Sequence, residues 1–131
     1  MKRNGLLILL IIVTLLCVAA PVRADKSYIA ERFDVLMEVQ PGGTMMVTET
    51  VVFRFDGGPF TYAFREVLAT ETDGVRFVEA SMDGVVLPTG ALPGMVDVTW
   101  DAERLKVTWH FASTTDATHT FVLRYEVLGV V

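Results

Sequence analysis

Cysteine is almost absent from this 131-residue chain, and basic side chains are scarce. The single cysteine, Cys17, lies in an apolar stretch near the amino terminus, so residues 25–131 offer no disulfide, no thiolate metal site and no cysteine nucleophile. Three of the 11 basic residues (Lys2, Arg3 and Arg23) precede residue 25, whereas all 16 acidic residues lie at position 25 or later. This acidic remainder argues against binding to nucleic acid or to anionic lipid, because both carry negative charge.

The first 24 residues lack acidic side chains and have the layout of an export signal. A basic start, Met1-Lys2-Arg3, precedes the apolar run Leu6 to Ala20, and small or apolar residues lead to a predicted cleavage between Ala24 and Asp25. An uncleaved signal anchor is the alternative, although fifteen helical residues span only about 22 Å of a bilayer core of roughly 30 Å. We therefore expect a signal peptide over 1–24 and an exported, extracytoplasmic or secreted product.

Residues 25–131 are expected to form one domain. The chain stops on an apolar strand end, Leu128 to Val131, and we expect either a domain truncated at its C-terminus or an edge strand that ends on a short stub.

After residue 24 no segment has the 3.6-residue apolar period of a helix, and short alternating segments follow one another instead. Phe33, Val35, Met37 and Val39 alternate with Asp34, Leu36 and Glu38, which predicts a half-buried strand. Further strands are predicted in segments that begin at Thr44, Phe60, Gly74, Val85, Met95, Leu105 and Phe121. Asp83-Gly84 predicts a type I′ turn, and Ala112–His119 reads as a polar loop.

Seven to eight strands with regular turn signals predict an all-β fold. We expect an antiparallel, immunoglobulin-like β-sandwich preceded by an N-terminal hydrophobic signal helix. A partly open barrel is the alternative.

Glu49 is the most unusual residue of the predicted strands. By strict alternation it shares a face with Val47, Val51, Phe53 and Phe55, and an ionised carboxylate on an apolar face needs a partner. Arg65 is a suitable one, because a guanidinium can give a carboxylate two hydrogen bonds. We predict a partly buried structural ion pair between Glu49 and Arg65. The alternative is a bulge that shifts the register and leaves Glu49 in solvent.

Other candidate sites are weaker. His110 and His119, with Asp116 between them, fall short of the three or four ligands of a zinc site, so we expect exposed histidines and no metal or cofactor. Trp100 and Trp109 could form a sugar-stacking platform, but each shares a strand face with aliphatic neighbours, which favours core packing. With no nucleophile elbow and no phosphate-binding glycine loop, no catalytic residue is predicted.

Residues 28–131 resemble the domain-of-unknown-function family 2207, a family of predicted membrane proteins. The resemblance lies in the segments YIAERFDVLMEVQPGGTMMVTETVVFRF and GGPFTYAFREV, which contain Val47-Thr48-Glu49-Thr50, Phe53-Arg54-Phe55 and Phe64-Arg65-Glu66. It implies an extracytoplasmic β-domain that precedes transmembrane helices, and it carries no catalytic signature.

We therefore expect a non-enzymatic, extracytoplasmic interaction or assembly module of a cell-envelope membrane protein. It would contact a protein or other cell-surface partner by strand addition at exposed sheet edges. Membrane attachment would come from the N-terminal segment or from a missing C-terminal region. A secreted carbohydrate-binding module is the alternative, and an enzyme whose catalytic residues lie in a missing part is a third.

Overall fold

The computed structural model describes residues 25–130, and these residues contain strands and turns only. Eight strands follow one another along the chain: β1 (Ser27–Val39), β2 (Met45–Asp56), β3 (Phe60–Leu68), β4 (Gly74–Met82), β5 (Val85–Val86), β6 (Met95–Trp100), β7 (Arg104–Thr114) and β8 (Ala117–Leu128). The predicted all-β class is confirmed. The predicted signal helix over 1–24 lies outside the described residues.

The strands divide between two antiparallel sheets. The larger sheet has the order β1-β2-β8-β4-β5, and the smaller one has the order β3-β7-β6. Sequential neighbours form hairpins in β1–β2 and β6–β7, whereas β8 returns to lie between β2 and β4. Among residues 25–130 no helix has the length and apolar character needed to cross a membrane.

Period-two alternation explains how the two sheets share one core. Along β7 the buried side chains are Leu105, Val107, Trp109 and Phe111, and the residues between them are more exposed. Strand β8 buries Phe121, Leu123, Tyr125 and Val127 in the same way. The rings of Trp109 and Phe121 meet edge to face across the core, with centroids 5.5 Å apart. Each sheet therefore supplies one apolar face to a common interior.

The Asp83-Gly84 turn has the predicted backbone. Asp83 has φ of 50° and Gly84 has φ of 83°, so both central residues adopt the positive φ that a type I′ turn requires. This turn joins β4 to the short β5.

The predicted loop over Ala112–His119 is wrong. Strand β7 runs on to Thr114 and β8 begins at Ala117, which leaves a two-residue connection. Asp116 makes the tight turn possible, because it adopts a positive φ of 48° and its carboxylate accepts a hydrogen bond from the Gly57 amide at 2.7 Å. Asp residues tolerate this conformation better than most, so polar composition here marks a turn rather than a long loop.

The first strand is a second departure from expectation. We predicted β1 to be half buried, yet every one of its 13 residues is exposed. The two sheets differ in size, since one has five strands and the other three. The smaller sheet does not reach across to β1, which is the outermost strand of the larger sheet. Alternation correctly indicated that β1 has an apolar face, but no strand of the described chain covers that face.

Candidate functional site: an apolar groove beside a buried ion pair

Glu49 and Arg65 come together where β2 faces β3. The Arg65 guanidinium donates from Nε to Glu49 Oε2 at 2.7 Å and from Nη2 to Glu49 Oε1 at 3.0 Å. The Tyr125 hydroxyl donates a third hydrogen bond to Oε1 at 2.9 Å. Glu49 is only 4% exposed and is the one buried charged residue of the described chain, so these three donors replace the water that the carboxylate has lost.

The environment of this cluster shifts the pKa values of the two residues that donate to Glu49, Arg65 and Tyr125. The hydrogen bond to Glu49 raises the pKa of Arg65 above its ordinary value and keeps the guanidinium charged. Burial, reinforced by the Glu49 carboxylate, raises the pKa of Tyr125 well above that of a free tyrosine. Tyr125 therefore remains a neutral hydrogen-bond donor at physiological pH.

Strand pairing accounts for the position of each group. Glu49 pairs with Leu123 of β8, so it lies on the inner face with Val47 and Val51 on either side along β2. Arg65 lies on β3, the outermost strand of the smaller sheet, where its side chain is 40% exposed. The ion pair thus marks the border between the closed core and the open side of the molecule.

An apolar groove begins at this border. A cavity of about 220 Å³ opens between the two sheets, and residues from both sheets line it: Tyr28, Phe53, Phe55, Tyr62, Ala63 and Phe64. A smaller cavity of about 40 Å³ lies next to it and reaches Glu49 and Arg65. The outer wall of the groove is β1, whose Phe33 ring lies 5.8 Å from the Arg65 guanidinium carbon.

The inner face of β1 extends the groove as an exposed apolar stripe. We define the β1 stripe as the large apolar residues that pair with inward-facing residues of β2: Tyr28, Phe33, Val35, Met37 and Val39. Each of them is at least 44% exposed, although their β2 partners belong to the inner face. An exposed apolar patch of this kind is typical of an interaction surface.

A second polar cluster, which the sequence analysis missed, joins two turns. His119 Nδ1 lies 2.6 Å from Asp83 Oδ2, and His119 Nε2 lies 3.1 Å from Thr114 Oγ1. The other Asp83 oxygen accepts a hydrogen bond from the Thr120 amide at 2.9 Å. The order hydroxyl, imidazole, carboxylate is that of a nucleophile and its base, but neither of the cavities described above is lined by these residues. The cluster fastens the Asp83-Gly84 turn to β8.

The two histidines occupy different sheets. His110 lies on β7 opposite Tyr62 and Met95, on the outward side of the smaller sheet. His119 lies on β8 and its ring packs near those of Phe55, Phe111 and Phe121. In the described part of the chain no group of three His, Cys, Asp or Glu side chains could hold a metal ion.

The two tryptophans differ in their surroundings. Trp109 is 3% exposed and donates its indole N–H to the Ser81 carbonyl at 3.1 Å, so core packing is confirmed for this residue. Trp100 is 50% exposed, and core packing is wrong for it, because it is the last residue of β6. The two rings therefore cannot form a shared sugar-stacking platform. Of the predicted cleavage pair, Ala24 lies outside the described residues and Asp25 is exposed.

Comparison with known proteins gives one match. Residues 30–131 match the family model described as "Predicted membrane protein (DUF2207) N-terminal domain". No curated protein and no solved structure matches the chain.

Proposed function

Since the chain belongs to the DUF2207 family of predicted membrane proteins, we propose that residues 25–131 form an interaction or assembly domain that binds a protein partner through the groove between β1 and β3. The domain is non-enzymatic in this proposal, and its two sheets constitute an immunoglobulin-like sandwich. It lies on the extracytoplasmic side of the membrane, an address that the export-signal layout of residues 1–24 supports.

The observation that carries the proposal is the exposed β1 stripe. Its five side chains belong to a regular strand whose register to β2 is continuous on either side of one bulge. An apolar face held in place by hydrogen bonding lowers the entropy lost on binding, because the surface is already formed. Such a face favours a protein contact that buries it.

Charge narrows the class of partner. The described residues carry all 16 acidic side chains of the protein, which disfavours nucleic acid and anionic lipid surfaces. An apolar groove on a domain with more acidic than basic residues suits a protein segment that combines apolar and basic residues. The carbohydrate-binding alternative is left with Trp100 alone, since Trp109 lies in the core.

Site-specific photo-cross-linking in intact cells tests this proposal. A photoreactive residue replaces Phe33 in the groove of the full chain, and a matched variant carries it at Val85, an exposed apolar position on β5 at the opposite edge of the same sheet. We expect a discrete protein adduct from position 33 and none from position 85. Equal labelling at both positions, or labelling of lipid alone at position 33, would overturn the proposal.

A further inference from the structure

We propose that the groove receives an extended peptide segment, which pairs as an added strand with the free edge of β3 and buries alternate apolar side chains against the β1 stripe. The inference rests on the proposed function and specifies the partner: a segment with period-two apolar residues and flanking Lys or Arg. The added strand would become the fourth strand of the smaller sheet.

Hydrogen bonds around β7 establish which backbone groups of β3 face outward. The Arg104 and His110 carbonyls accept from Asp101 and Gly94 at 3.1 and 2.8 Å, so both face β6. By alternation the backbone N–H and C=O groups of Trp109 and Val107 point toward β3. The backbone groups of their pairing partners, Ala63 and Arg65, therefore point toward β7.

The alternate residues of β3 therefore present their backbone N–H and C=O groups to the open edge. These residues are Tyr62, Phe64, Glu66 and Leu68. The Ala69 amide bonds the Glu103 carbonyl at 2.7 Å, which fits the same alternation at the far end of the strand. Within the described residues β3 pairs with β7 alone, so this edge is available to a further strand.

Arg65 limits where an added strand can pair. Its Nη1 donates to the Glu66 carbonyl at 2.8 Å, so one acceptor of the open edge is already satisfied. The backbone groups of Tyr62 and Phe64 have no such side-chain partner among the described residues. Pairing is therefore expected to centre on Tyr62 and Phe64, directly at the mouth of the 220 Å³ cavity that they line.

Sheet geometry selects the β3 edge over the β1 edge. Facing sheets lie about 10 Å apart and neighbouring strands about 4.8 Å apart. Because Arg65 of β3 meets Glu49 of β2, the next strand position beyond β3 lies over β1. A strand added there covers the β1 stripe, whereas a strand added to the outer edge of β1 would leave that stripe exposed.

The cavity provides an anchor for one bulky side chain of the added strand. An apolar cavity of about 150 Å³ is known to accommodate benzene, so the larger space beside Tyr28 and Phe64 can accept an aromatic or a Leu side chain. Successive inward side chains of a strand lie about 6.6 Å apart. The added peptide would therefore place its anchor side chain in the cavity. Apolar side chains two positions before and after the anchor would lie along the β1 stripe toward Val35 and Met37.

Charge argues against a second copy of this chain as the occupant. Two copies would bring together surfaces that are both acidic, since acidic residues outnumber basic ones beyond residue 24. Strand β1 forms the outer wall of the groove. Residues 25–39, which are β1 and the two residues before it, include four acidic and two basic side chains: Asp25, Glu31, Asp34, Glu38, Lys26 and Arg32. The net acidic charge of this strand and of the whole domain attracts a segment with basic flanks.

The test uses a random 12-residue peptide library displayed on phage and selected against the full 131-residue chain. Val35→Lys places a charge in the β1 stripe, and Leu36→Lys is the matched control on the other face of the same strand; both native side chains are exposed. We expect enriched peptides with alternating apolar residues and basic flanks. Their affinity should fall on the order of tenfold or more with Val35→Lys, which corresponds to about 1.4 kcal/mol, and should persist with Leu36→Lys.

Hydrogen exchange on the chain with the best selected peptide locates the added strand. The amides of Tyr62 and Phe64 should gain protection, while the amide of Ala63, already directed at β7, should change little. Protection of the β1 edge amides instead, equal loss of affinity in both lysine variants, or failure to enrich alternating peptides would overturn the inference. Self-association abolished by Val35→Lys would overturn it in favour of a second copy. A cross-link from position 33 together with any of these results would leave the proposed function standing and remove only the strand-addition mode.

Discussion

The Glu49 carboxylate and the Arg65 guanidinium form a bidentate pair in which the two partners are unequally buried, with side chains 5% and 40% exposed. The pair therefore responds differently to the loss of each member. An Arg65 left alone can be hydrated, whereas a Glu49 left alone remains an uncompensated charge on an apolar face.

Arg65→Met should consequently destabilise the protein more than Glu49→Gln does. We expect the free energy of unfolding to fall by about 3 kcal/mol in Arg65→Met, and by about 1 kcal/mol in Glu49→Gln, because a Gln side chain still accepts from Arg65 and Tyr125. Urea unfolding measures both values. Arg54→Met is the control, since its Glu31 partner is as exposed as Arg54 itself and the effect should be much smaller.

A double-mutant cycle decides whether the two residues act together. Glu49→Leu with Arg65→Met should be less destabilised than the sum of the single changes, because the double variant leaves no unpaired charge. Additive losses would show that the two side chains contribute independently, and the structural ion pair would have to be abandoned.

Tyr125 should give the protein a distinct alkaline sensitivity. Burial raises its pKa in the folded state above the value of about 10 for an unfolded tyrosine. The stabilisation is therefore complete below pH about 10 and is lost as pH rises toward the folded-state pKa, because only the unfolded chain releases the proton in that interval. Unfolding free energies between pH 8 and 11 should fall less steeply in Tyr125→Phe than in the parent chain.

Tyr62→Phe provides the comparison for this pH series. Its ring is 57% exposed and its hydroxyl takes no part in the Glu49 cluster. The slope should match that of the parent chain. A Tyr125→Phe protein with the parental slope would contradict the assigned environment of Tyr125.

Asp83→Ala should weaken the turn between β4 and β5. The change removes the carboxylate contacts to His119 Nδ1 and to the Thr120 amide, and it places alanine at a φ of 50°. We expect a loss of about 2 kcal/mol in unfolding free energy from the hydrogen bonds and the backbone strain together. Asp83→Asn, which tolerates positive φ and keeps a carbonyl oxygen, should recover part of it; no recovery would show that the hydrogen bonds to a carboxylate alone support the turn.

The sequence predicted those features that depend on local periodicity. Alternation along β7 and β8 was sufficient to identify their buried faces. The Asp83-Gly84 pair alone was sufficient to predict the type I′ turn. The position of Glu49 among apolar neighbours also indicated the need for a cationic partner, and Arg65 is the residue that lies there.

Features that depend on which strands face each other were not predictable from one strand at a time. Tyr125 donates to Glu49 only because β8 pairs beside β2, 76 residues later in the chain. The exposure of β1 follows from the difference in strand number between the two sheets, and alternation within β1 carries no information about what covers it. The same holds for Trp100, whose neighbours in sequence are those of a core residue.

Thiol accessibility along β1 measures directly whether the β1 stripe is open in the isolated chain and covered by a partner in the cell. In a Cys17→Ser background, single cysteines replace Val35 and Met37 on the stripe and Asp34 and Leu36 on the opposite face, and maleimide labelling rates are compared in purified protein and in intact cells. We expect rapid labelling at all four positions in the purified chain, and slow labelling at positions 35 and 37 alone in cells. Equal rates at the four positions in cells would contradict this expectation.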